Sequence, residues 1–94
     1  MRVRGRGIDI DGERMPWYYD LEELAGDLKG QLRVEGWEPS AAMNSWYERS
    51  KGKNIRVLVP GIGRAILSPD GIFIHESGHH NETEVKVRGS LQTA

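Results

Sequence analysis

Apolar residues recur along this chain with two different periods. Leu21, Leu24, Ala25, Leu28 and Leu32 stand at i, i+3, i+4, i+7 and i+11, a spacing that gathers them into one stripe on a helix. Asp20 is suited to cap such a helix, Glu23 three residues later completes a capping-box pair, and Gly36 is a natural stop. The spacing predicts a helix over residues 20–34.

Elsewhere the period is two. Arg2, Arg4 and Arg6 alternate with Val3, Gly5 and Gly7, and then Ile8 and Ile10 take the arginine parity. That pattern predicts a strand over residues 2–10 with a face switch or bulge, ended by an Asp11-Gly12 turn. Residues 43–49 read as a strand with Trp46 and Tyr47 on opposite faces, and 51–54 as a turn. Ile55, Val57 and Val59 alternate with Arg56 and Leu58 up to Pro60. Ala65-Ile66-Leu67 and Ile72-Phe73-Ile74 predict a hairpin reversed at Ser68-Pro69-Asp70-Gly71, a suitable type I turn. Ser77-Gly78 breaks that run, and residues 83–88 read as a last, half-exposed edge strand. Gly61-Ile62-Gly63 leads into another strand instead of a helix, so it is a hairpin connection and not a dinucleotide loop. The expected fold is therefore α+β: one amphipathic helix packed on an antiparallel sheet of five to six strands, in the order β-α-β-β-β-β-β. Its core would set Leu21, Leu24, Leu28 and Leu32 against Ile55, Val57, Val59, Ile66 and Ile74.

Ninety-four residues allow one domain, 1–94. Thirteen basic and 14 acidic side chains leave a net charge of −1, which argues against a strongly basic nucleic-acid binder and against an acidic nucleic-acid mimic. With no cysteine there is no thiol catalysis and no disulfide framework, so a cytoplasmic location is expected. No apolar run approaches the roughly 20 residues of a membrane span, and no membrane association is expected.

Three constellations carry candidate chemistry. His75-Glu76-Ser77-Gly78-His79 matches H-E-x-x-H, which binds zinc only when a helix aims both imidazoles at one ion. Here a β-type run feeds into it, so a zinc hydrolase using His75, Glu76 and His79 is the lesser alternative. Arg2, Arg4, Arg6, Lys51 and Lys53 form basic clusters that could contact phosphates, with Trp46 or Tyr47 stacking; charged edge-strand protection is the preferred explanation, given the near-neutral net charge. Every tryptophan and tyrosine lies within residues 17–47, more aromatic surface than a small core easily absorbs. Gly26 and Gly30 would sit together on the helix face opposite the leucines, where a neighbouring backbone could approach.

These features favour a non-catalytic interaction protein, a homo-oligomer that binds or sequesters a protein partner or small ligand without a cofactor. Its contact residues would be Trp17, Tyr18, Tyr19, Gly26, Gly30, Trp46 and Tyr47. A compact inhibitor of a bacterial defence system, encoded by a phage or mobile element, fits that description. A weak nucleic-acid-binding module is the first alternative.

Overall fold

In the computed structural model, which describes residues 1–92, the chain is an α+β domain with one helix packed on a six-stranded antiparallel sheet closed into a barrel. The elements are β1 (Arg2–Ile10), β2 (Glu13–Leu24), β3 (Asp27–Glu35), α1 (Trp37–Ser50), β4 (Ile55–Val59), β5 (Gly63–Ser77) and β6 (His80–Leu91). Around the barrel they run β1-β2-β3-β6-β5-β4. The fold class is the expected one, but the order is β-β-β-α-β-β-β, so the helix follows the third strand.

Residues 20–34 are not a helix. They are the end of β2, a two-residue reversal, and β3. Ala25 (φ 53) and Gly26 (φ 87) both take positive φ, as the tight turn between right-twisted strands requires. The Gly26 amide donates to Glu23 Oε2 at 2.9 Å. The reversal resets the parity of the strand, so Leu21 before it and Leu28 and Leu32 after it all point inward and are buried. Leu24 and Ala25 flank the turn instead, and Leu24 is 72% exposed. A hairpin has reproduced the i, i+7, i+11 spacing of a helical stripe.

The true helix covers the segment expected as a strand at 43–49. Ser40, Met43, Trp46 and Ser50, three or four residues apart, form its buried stripe. Pro39 lies in its first turn, where the missing amide costs nothing. Trp46 meets Trp17 of β2 edge-to-face, with ring centroids 4.9 Å apart. The next residue, Tyr47, accepts through its hydroxyl from the Gly71 amide at 3.0 Å.

Other expectations hold. The strand at 2–10 carries its face switch as a register shift between Arg6 and Ile8, with Gly7 at φ 96. Asp11-Gly12 is the turn into β2, and Ile55, Val57 and Val59 are buried. Ser68-Pro69-Asp70-Gly71, however, does not reverse the chain. It is an irregularity inside β5, where register shifts between Pro69 and Ile72. The reversal comes at Gly78-His79. Ile66 and Ile74 are accordingly outside the core, Ile74 being 47% exposed.

Gly30 and Gly89 set the closeness of the barrel wall. A Cβ on Gly30 would run into the Asp20 carbonyl oxygen, and one on Gly89 into the Ile66 carbonyl oxygen. Gly30 is therefore a point of strand-to-strand contact, not part of an outward glycine pair. On a helix, Gly30→Ala would stabilise by up to about 1 kcal/mol. In this barrel it is expected to destabilise by more than about 1 kcal/mol, measured as a lowered urea midpoint. Thr83 is fully buried, and its Oγ1 has no hydrogen-bond partner among the described residues. Thr83→Val keeps the shape and removes the unpaired hydroxyl, so a gain of about 1 kcal/mol is expected in the same measurement.

Candidate nucleic-acid interface

The alternation that buries Trp17, Tyr19 and Leu21 turns Tyr18, Asp20 and Glu22 to the outside. The ladders then assemble three cross-strand rows on the outer face of β1, β2, β3 and β6. One row runs Arg6, Tyr18, Arg33, Glu84 and on to Phe73 of β5. The next runs Arg4, Asp20, Gln31, Lys86, and the third Arg2, Glu22, Lys29, Arg88. Seven of the 13 Lys and Arg residues thus share one face, with neighbours along a strand about 7 Å apart.

Carboxylates order part of this face. Arg2 donates to both oxygens of Asp20 at 2.8 Å, and Arg4 Nε lies 3.4 Å from Asp20 Oδ2. Arg88 pairs with Asp70 at 3.1 Å and Arg33 with Glu35 at 2.7 Å. The Tyr18 ring takes the guanidinium carbon of Arg33 at 4.7 Å from its centroid and that of Arg6 at 5.3 Å, so one ring holds two like charges, from the strands on either side of it. Lys86 Nζ lies 5.0 Å from the Phe73 centroid. Among the described residues Arg6, Lys29 and Lys86 make no ion pair. Two shallow grooves cross the face and meet at Asp20 and Gln31. One is bordered by Arg2, Lys29, Lys86 and Arg88, the other by Arg4, Arg6 and Arg33.

Of the cations expected to act together, Arg2, Arg4 and Arg6 are here, while Lys51 and Lys53 are on the turn between α1 and β4. Lys51 is engaged by Glu48 at 2.8 Å, which raises its pKa. Lys29, Arg33, Lys86 and Arg88 were missed. Their alternation was legible at 84–88, but the helical reading of 20–34 hid the matching alternation of Lys29, Gln31 and Arg33.

The expected aromatic contact surface does not form. Trp17, Tyr19 and Trp46 are core residues, Tyr47 is half-buried against β5, and only Tyr18 reaches the outer face. Gly5 carries no Cβ because the Tyr19 ring occupies that space. Gly26 is in a turn and Gly30 in the barrel wall, so the seven residues do not make one surface. The H-E-x-x-H stretch lies on a hairpin: His75 and Glu76 on successive residues of β5, and His79 in the turn. Successive strand residues point to opposite faces, and among the described residues no three His, Asp or Glu side chains gather as a metal-binding group. His80 instead lies 3.1 Å from Glu82.

The fold and face define a small antiparallel barrel, capped by one helix and basic on one side. No protein-family model matches this chain, and no solved structure matches it.

The acidity of Asp20 is clearly shifted. The Arg2 hydrogen bond is the largest cause and lowers its pKa; partial desolvation opposes this, and the charges of Arg2 and Arg4 add to the lowering. A carboxyl with a depressed folded-state pKa stabilises above its unfolded pKa, and that contribution disappears as pH falls through the folded value. Wild type should therefore exceed Asp20→Asn in urea midpoint at neutral pH, with the gap closing in acid. A gap that persists undiminished in strong acid would show that the ion pair is not its source.

Proposed function

We propose that this protein is a non-catalytic binding module that takes single-stranded nucleic acid across the outer face of β1, β2, β3 and β6. The observation that carries the reading is the gathering of seven cations against three carboxylates, Asp20, Glu22 and Glu84, in three adjacent rows, in a chain whose net charge is −1. Such a molecule is polar in charge, and its near-neutral total conceals a face that attracts phosphates. The rows supply charges at regular spacing along an extended groove, which suits a flexible backbone more than a rigid duplex. Phe73, 48% exposed at the end of the Arg6 row, offers a ring for a base to stack on. Tyr18 does not, because two guanidiniums, those of Arg6 and Arg33, lie against its ring, whereas Phe73 meets Lys86 alone. Arg2 and Arg4, tied to Asp20, orient the face, and Arg6, Lys29 and Lys86 are the phosphate contacts.

Capture of a protein partner is a second reading, supported by the exposed apolar residues Phe73 and Ile74 on the β5–β6 hairpin.

Fluorescence anisotropy of labelled single-stranded DNA and RNA, over a series of salt concentrations, tests the first reading. Affinity should fall steeply with salt. Lys29→Ala and Lys86→Ala should each weaken binding and reduce the slope of log K against log salt by about 0.7. Asp20→Asn, which removes the carboxylate holding Arg2 and Arg4, should bind more tightly, and Lys53→Ala should bind as wild type does. No binding to either polymer at low salt would overturn the proposal, as would equal losses for Lys29→Ala and Lys53→Ala.

A further inference from the structure

Closing the barrel with tilted strands leaves two stretches of strand edge without a neighbour. β1 meets β4 only through Asp9 and Ile10, so residues 2–8 pair on one side only. β5 meets β4 only through residues 63–67. Beyond them, Ser68 Oγ donates to Asn54 Oδ1 and the Gly71 amide donates to Tyr47, so the end of α1 and the turn after it lie along the strand as far as Gly71. From 72 to 77, β5 pairs with β6, and among the described residues no other backbone hydrogen-bonds to it.

The two edges differ in chemistry. The β1 edge carries Arg2, Arg4 and Arg6 and a bulge at Gly7, the devices that keep an exposed edge from recruiting another strand. The β5 edge reads Ile72-Phe73-Ile74-His75-Glu76-Ser77, with no lysine, arginine or proline. Phe73 and Ile74 are 48% and 47% exposed and point to opposite faces. Phe73, Ile74 and His75 thus form the open edge of a three-strand stretch, because their β6 partners Glu84, Thr83 and Glu82 also pair with β3, and only Glu76 and Ser77 lie on a two-stranded tip; apolar side chains project from both sides of this edge, in a molecule 45 Å long but only 24 × 21 Å across.

We propose that a second copy of this chain occupies the edge, with residues 72–77 of the two β5 strands pairing antiparallel about a two-fold axis. Charge decides which edges of two copies can meet. Two β1 edges in antiparallel register would set arginine against arginine, whereas the β5 segment carries only Glu76 as a fixed charge. Centred on Ile74, the pairing sets Ile74 against Ile74, Phe73 of one copy against His75 of the other, and Ile72 against Glu76, so the two glutamates stay apart at opposite ends. Pairing a β5 edge with a β1 edge would repeat without closing, whereas the two-fold arrangement closes at two copies. It joins two barrels through a sheet continuous across the two β5 strands, and it stands whether or not the basic face binds nucleic acid. Residues 83–88, expected from sequence to provide the pairing edge, are hydrogen-bonded on both sides, to β3 and β5.

Light scattering and hydrogen exchange on the intact chain test this together. Wild type should show twice its chain mass of 10.6 kDa at high concentration and fall toward one chain mass on dilution. The amides of residues 72–77 should become several-fold better protected as concentration rises. Ile74→Lys and Phe73→Lys should remain folded by circular dichroism, shift the mass to one chain and abolish the concentration-dependent protection. Leu24→Lys, at the exposed turn on another hairpin, should leave the dimer intact. A wild type that stays at one chain mass at every concentration would overturn the proposal. So would a dimer that survives both lysine substitutions or shows its protection elsewhere than 72–77.

Discussion

The seam between β1 and β4 is the contact on which the rest of this structure depends. It is short: Asp9 faces Leu58, Ile10 faces Val57, and Asp11 extends it by one step. The Asp11 amide donates to the Arg56 carbonyl at 2.7 Å, while its Oδ1 accepts from the Arg56 amide at 3.0 Å. Asp11 is also the first residue of the β1–β2 turn, at φ 52, so one residue both reverses the chain and latches the first strand to the fourth. Without that latch, three strands before the helix and three after it would meet only at β3 and β6. With it, Ile8, Ile10, Leu21, Leu32, Val57, Leu67 and Val85 surround one core. Because closure takes place at one end of β1 only, it also dictates which strand edges remain open.

The sequence revealed strands wherever alternation was uninterrupted, and failed where a turn hid within a longer periodicity. Residues 2–10 and 55–59 were legible because each alternates apolar and polar positions up to a clear stop. At 20–34 a two-residue hairpin displaced the parity of Leu28 and Leu32 relative to Leu21, producing spacings that a helix also satisfies. The discriminating signal was present in Trp17, Tyr19 and Leu21, an alternating run with the aromatic content of a strand, followed by Ala-Gly. Ala-Gly is a weaker turn signal than Asn-Gly, because alanine reaches positive φ at a cost. At 37–50 the opposite error arose. Ser40 and Ser50 occupy half of the buried stripe, and a helix that buries serines leaves little apolar periodicity to read.

The candidate site was half legible for the same reason. Arg2, Arg4 and Arg6 stand on a strand that was recognised, so their common face could be inferred. Lys29 and Arg33 belong to the misread strand, and cross-strand neighbours cannot be assembled until both strands and their register are known. The aromatic residues show the converse. Counting them suggested a surplus for the surface, and Trp37, 64% exposed, is part of one; Trp17 and Trp46, however, pack on each other in the core. Only the odd parity of Tyr18 within Trp17-Tyr18-Tyr19 marked it as the member that faces outward.

The charged face and the bare edge follow from one geometric fact. In a closed sheet each outward residue has neighbours on both sides, so its charge must be compatible with two adjacent strands. Asp20 between the arginines of β1 and Gln31 of β3 is such a solution. Arg33 beside Tyr18 is another, since the ring tolerates a cation on either side. At an open edge one neighbour is missing, and side-chain charge alone determines whether another strand can be added. β1 carries a guanidinium at every outward position of its open stretch, while β5 carries a phenyl ring and two isoleucines in its own. Had both edges needed only to remain solvated, the same device would serve both. Beside the arginines of β1, residues 72–77 lack the device that blocks strand addition, and that difference in chemistry is what the proposed pairing of two β5 strands rests on.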